Sequence, residues 1–189
     1  NDTTLTTGNS LYYNPTTKEI VYATTGSGPI PTGTNWADYL YWNNNTSSWA
    51  VGSTNITLGQ NAGQTAQGTN AVAIGNQAGR TNQGNSSVAI GFQASQSNQG
   101  ATSVSIGYQS GQFSQGASSV AIGNLSGQNS QGLNSVSIGF QSGQTNQGTE
   151  SIAIGDSAGN AGQGVGATAG TSTIAIGKQA GYTGQGISA

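Results

Sequence analysis

The side chains able to carry chemistry are few. Five carboxylates (Asp2, Glu19, Asp38, Glu150, Asp156) and three cations (Lys18, Arg80, Lys178) are the only charged groups in 189 residues. Histidine and cysteine are absent. That removes the commonest general base, imidazole and thiolate metal ligands, and any Ser-His-Asp or cysteine nucleophile. Glu150 and Asp156 flank one short apolar segment, and a facing carboxylate pair is what glycoside cleavage needs. The simpler reading is two solvated turn charges. Glycine-rich phosphate loops require a strand-to-helix context that nothing here supplies. The chain therefore reads as a non-enzyme, with no catalytic residue, cofactor or metal ligand expected.

What the sequence offers in quantity is amides, hydroxyls and glycine, with 19 Gln and 32 Gly. They keep a beat. Ser87 to Gly91 reads SVAIG, and related pentads end at Leu58-Gly59, Ile74-Gly75, Ile90-Gly91, Ile106-Gly107, Ile122-Gly123, Ile138-Gly139, Ile154-Gly155 and Ile176-Gly177. The first seven are spaced by 16 residues and the last step is 22, which places a six-residue insertion around 165–173. A Gln-Gly pair follows the same period at Gln67, Gln83, Gln99, Gln115, Gln131, Gln147, Gln163 and Gln185.

A period this short cannot hold two packed helices and a turn. It suits one coil of a solenoid with two short strands and two glycine turns. The fold expected is all-β, a parallel β-solenoid (β-roll) of eight such coils. In the first strand the large apolar residues alternate, which puts both on one face. Val72, Ile74, Val88, Ile90, Val104, Ile106, Val120, Ile122, Val136, Ile138, Ile152, Ile154, Ile174 and Ile176 are accordingly expected to form the core. The small residues between them (Ala73, Ala89, Ser105, Ala121, Ser137, Ala153) then line the outer face. A weaker second strand is expected around Gln77–Gly79 and its equivalents. Stacked at about 4.8 Å, the Gln67 series forms an amide ladder, inward or along the axis, and the Gln77, Gln93, Gln109, Gln141 series a second.

Each coil carries only one Val and one Ile, roughly 1.5–3 kcal/mol apiece when buried. Ordering backbone costs about 1–2 kcal/mol per residue. A single thin stack looks marginal, so an oligomer is expected, a trimer around the small-residue face. The sequence stops where the next pentad would begin, which raises head-to-tail stacking into a filament as the other mode. The residue after each Ile-Gly varies and includes Phe92, Tyr108 and Phe140, a candidate ligand or contact stripe for sugars, surfaces or another subunit.

Residues 1–52 differ. They hold all three tryptophans and five of seven tyrosines. Leu11–Ala23 and Tyr39–Val51 read as two antiparallel hairpins, around Asn14-Pro15-Thr16-Thr17 and Asn43-Asn44-Asn45-Thr46. This aromatic module, a cap or connector, precedes the repeat domain at 53–189. A formal charge of −2 and three scattered cations argue against nucleic acid, and no apolar run is long enough to span a membrane.

The SVAIG pentads resemble the head repeats of YadA-like trimeric autotransporter adhesins over residues 53–189. The resemblance implies a β-roll, a trimer and adhesion to host matrix or cells. The family repeat is typically shorter, and no neck, stalk or anchor is seen here. The segments LYYNPTTKEIVYATT and YLYWNNNTSSWAVGS resemble fibre modules of phage and large-virus structural proteins. Together these imply an extracellular structural fibre subunit at a cell or virion surface that assembles with itself. The alternative is a receptor- or glycan-binding adhesin or viral fibre head.

Overall fold

A computed structural model of the chain describes residues 10–14, 18–23, 35–43, 46–163 and 172–184. Among these there is no helix. By internal contacts the chain divides into two units, Asn1–Ser53 and Thr54–Ala189.

In the first unit two hairpins form as the turn chemistry predicts. Ser10–Asn14 pairs antiparallel with Glu19–Ala23, with Lys18 at φ 62° closing the turn. Leu40–Asn43 pairs with Ser48–Val51, with Ser47 at φ 49°.

The second unit is a parallel β-solenoid. Three-residue strands stack into one sheet of eight strands, from Ile56–Leu58 to Ile174–Ile176, and one of six, from Thr65–Gln67 to Thr145–Gln147. We call them the aliphatic and the amide sheet after their contents. Every pairing joins residues one repeat apart, as in Val104↔Val88, Ser105↔Ala89 and Ile106↔Ile90. Isolated bridges Thr145↔Ala161 and Ala161↔Thr183 carry the amide sheet onward. The six extra residues of the last step leave the aliphatic register intact, since Ile152, Ala153 and Ile154 pair with Ile174, Ala175 and Ile176.

The second strand is not where the sequence placed it. Gln77–Gly79 and its equivalents form a turn, and the strand is Thr81–Gln83 and its equivalents. The reason is backbone curvature. Within one coil Gly107 (φ 132°), Gln109 (51°), Gly111 (54°), Ser114 (58°) and Ser118 (54°) all lie at positive φ. The expected strand segment holds two left-handed residues two apart, Gln109 and Gly111, which roll the chain round a corner. Phe113–Gln115 holds only Ser114 and pairs through the residues on either side of it. Asn, Ser and Gly dominate these positions because they tolerate that region best.

The interior is the second departure. Val72, Ile74 and their equivalents are not the core. Ala73, Ala89, Ser105, Ala121, Ser137 and Ala153 are 0% exposed, whereas the valines are half-buried and Ile106, Ile138, Ile174 and Ile176 reach 37, 36, 56 and 64% exposure. The aliphatic columns face out and the small-residue column faces in, the reverse of the expected orientation. Geometry enforces this. A Cβ added to Gly127 would stand 3.2 Å from the Ala121 Cβ and 2.7 Å from the Gln131 amide oxygen. The gap between sheet and facing turn is closed by methyl- and hydroxyl-sized groups, so Val or Ile cannot turn inward. Further small columns complete the lining: Ser87, Ser103, Ser119, Ser135 and Ser151 on one corner, Ala78, Ala94, Ser110, Ser126, Ser142 and Ala158 on another.

Candidate interaction surface

Glutamine bridges this narrow interior. Gln83, Gln99, Gln115, Gln131, Gln147 and Gln163 are 0–4% exposed. Each donates its Nε2 to the carbonyl of the strand opposite: Val72, Val88, Val104, Val120, Val136 and Ile152, at 2.8–2.9 Å. Gln67 makes the same bond to Ile56 at 3.3 Å. The amides are thus inward tie-rods between the two sheets. Bonding along the axis is secondary and runs Gln99 to Gln115 (3.3 Å) and Gln147 to Gln163 (3.5 Å). Gln185 lies outside the described residues.

The second ladder forms over Gln77, Gln93 and Gln109 and does not reach Gln141, because Leu125 interrupts the column. Gln93 donates to Gln77 (3.0 Å) and Gln109 to Gln93 (2.8 Å). A third column went unread in the sequence. Gln112, Gln128, Gln144 and Asn160 each donate to the residue one coil earlier, at 2.9–3.1 Å, starting from Gln96. It also cross-links to the second ladder, as in Gln96 to Gln77 at 2.8 Å. The signal was there in the unbroken Gln at 96, 112, 128 and 144. These amides satisfy one another, so this wall is structural scaffolding. The corner serines were missed as well: Ser87, Ser103, Ser119 and Ser135 each donate to a glycine carbonyl three residues back, at 2.6–2.7 Å.

Glu150 and Asp156 take separate partners. Glu150 accepts from Ser172 Oγ at 3.3 Å, and Asp156 pairs with Lys178 at 3.8 Å while accepting from Ser157. No group of three His, Cys, Asp or Glu suited to a metal lies together among the described residues.

The surface that stands out is the outer side of the aliphatic sheet. Its two columns run Ile56, Val72, Val88, Val104, Val120, Val136, Ile152, Ile174 and Leu58, Ile74, Ile90, Ile106, Ile122, Ile138, Ile154, Ile176, without a polar interruption. At about 4.8 Å per strand the face is roughly 34 Å long. Its footprint, on the order of 400 Å², lies within the range of about 300–600 Å² of a typical monomer's largest apolar patch, which is often functional.

Beside the second column, one residue past each corner glycine, lie Phe92, Tyr108 and Phe140, exposed by 41, 48 and 48%. Phe92 and Tyr108 stack with centroids 5.3 Å apart and planes 15° apart. Their faces are turned toward each other along the solenoid axis, so their edges point outward.

No family model matches this chain, and no curated protein or solved structure matches it.

In the first unit, Trp42 and Trp49 are cross-strand partners in edge-to-face contact (5.7 Å, 80°), each about half exposed. Trp36 is 98% exposed in a turn closed by Asn35 N–H donating to Asp38 at 2.8 Å.

Proposed function

We propose that this chain is a structural fibre subunit of a cell or virion exterior, assembling with copies of itself side by side through the aliphatic face. The observation that carries the reading is the pair of outward, uninterrupted Val/Ile columns over a core of Ala, Ser and Gln. A core without large apolar side chains gains little from hydrophobic burial. The aliphatic residues that would supply it lie on one flat outer face. Covering that face with a like face adds the missing burial; at on the order of 400 Å² per partner plus the flanking rings, the footprint lies toward the small end of specific interfaces. The face runs along the solenoid, which favours lateral association over end-to-end stacking. The small-residue column, buried inside each coil, takes no part.

The test is sedimentation equilibrium of the native chain beside an Ile106→Asp, Ile138→Asp variant. Both side chains point outward, so the charges enter no core. The native chain should sediment as a discrete oligomer, a trimer in the preferred reading, and the variant should dissociate. A native chain that stays monomeric at high concentration rejects the reading.

A receptor-binding head is the second reading, favoured by the exposed indoles Trp36, Trp42 and Trp49 in the first unit. Loss of binding on a glycan or cell-surface array by a Trp36→Ala variant of the assembled protein would support it.

A further inference from the structure

The aliphatic face poses a problem for any assembly through it, because it is nearly the same at every coil. A second copy sliding by one coil, about 4.8 Å, meets Val and Ile again and loses only the contacts at the ends. Such a face specifies that two copies pair and leaves open in which register. The column beside it is different. One residue past each corner glycine it reads Gln60, Asn76, Phe92, Tyr108, Asn124, Phe140, Asp156, Lys178, with no two neighbouring coils alike.

We infer that this column is a register key for a second, parallel copy of this chain, with Phe92, Tyr108 and Phe140 as its teeth; the inference rests on the self-association proposed above. The teeth are 16, 32 and 48 residues apart, that is one, two and three coils, and each separation occurs once. Where like columns converge in parallel copies, as around a threefold axis, zero slip brings three rings level with three rings. A slip of one, two or three coils brings only one ring level with another. A one-coil slip also sets Phe140 level with the neighbour's Asp156 and Tyr108 level with its Asn124, an unfavourable exchange of ring contact for a carboxylate or an amide. The rings are held for this role: Phe92 and Tyr108 pin each other by stacking. The fold does not require rings there, since Asn76 and Asn124 occupy the same position in other coils.

The experiment uses the absence of native cysteine. Chains carrying Asn76→Cys and chains carrying Asn124→Cys, sites three coils apart, are co-assembled in equal amounts and oxidised. Like and mixed disulfides are then counted by mass. In the native ring background, like-with-like disulfides should dominate. With Phe92→Asn, Tyr108→Asn and Phe140→Asn added, the mixed fraction should rise by roughly tenfold or more while the oligomer mass stays the same. An unchanged mixed fraction without the rings, or abundant mixed disulfide with them, overturns the key and leaves the self-association standing. A monomer in both backgrounds overturns both.

Discussion

The side-chain amide of Gln115 crosses the interior of the solenoid and donates to the Val104 carbonyl at 2.9 Å. Its oxygen accepts from Ser105 Oγ at 2.6 Å, Ser95 Oγ at 3.0 Å and Gln99 Nε2 at 3.3 Å. One residue thus ties both sheets and two coils together, in the place where an ordinary domain has a large apolar side chain.

Replacing Gln115 with Leu should therefore be costly although Leu is the more hydrophobic. It removes the tie to the Val104 carbonyl and strips the acceptor from Ser105 Oγ in a buried site, while Ser95 Oγ keeps Ser105 (2.7 Å) and Gln99 Nε2 keeps the Val88 carbonyl (2.9 Å). At about 1–3 kcal/mol per buried unpaired group, the loss should be on the order of 2 kcal/mol. Gln67→Leu should cost about 1 kcal/mol or less, because Gln67 is only partly buried and its bonds are 3.3 and 3.5 Å long. Guanidinium unfolding of the two variants measures the difference.

Among the described residues, two buried amide oxygens in the interior have no partner, those of Gln83 and Gln131. In their coils the residue ten positions earlier is Ala73 or Ala121. Where that residue is serine, its hydroxyl donates to the glutamine, as from Ser105 to Gln115 at 2.6 Å and from Ser137 to Gln147 at 2.5 Å. Ala121→Ser should then stabilise the fold by about 1 kcal/mol, and Ser137→Ala should destabilise it by about as much or more. Thermal unfolding reads both signs, and a destabilised Ala121→Ser variant would contradict the account.

The corner glycines should not be interchangeable. A Cβ on Gly123 would meet the Gly139 carbonyl oxygen at 2.5 Å in the next coil, at a φ of 129°. A Cβ on Gly177 meets nothing within 4 Å, at a φ of 113°. Gly177→Ala should show backbone strain alone, about 1–3 kcal/mol. Gly123→Ala adds a backbone clash and should cost roughly 4 kcal/mol or more, splitting the stack between its coils. Hydrogen exchange of Val120–Ile122 against Ile138 would locate the break.

The insertion before the last rung should be dispensable. Ile152–Ile154 and Ile174–Ile176 pair in the ordinary register despite the 22-residue step. Loop-closure entropy changes slowly with length. Deleting residues 165–170 restores the common spacing, and the melting temperature should move by no more than about 3 °C. A large loss would mean that the inserted residues hold the last coil in place.

Much of this molecule could be read in one dimension. The repeat length gave stacked coils, because only equivalent residues can lie in register across a constant step. The two hairpins followed from Asn-Pro and Asn-rich turns between aromatic strands. The Gln67 series was expected to point inward or to stack, and Gln83 to Gln163 do point inward. The third amide column, from Gln96 to Asn160, was as regular as the others.

The sequence by itself determined which residues share a face, since alternation in a strand puts Val104 and Ile106 on one side and Ser105 on the other. It could not decide which side is inside, because period two is symmetric between the two faces. That choice rests on the distance between sheet and facing turn, set by residues far apart in sequence: the glycines at positive φ such as Gly111, and the reach of Gln115 across to Val104. The space left admits a methyl or a hydroxyl and excludes an isobutyl-sized group. Only the tertiary structure therefore sends the aliphatic columns outward, where they lie as an uncovered face.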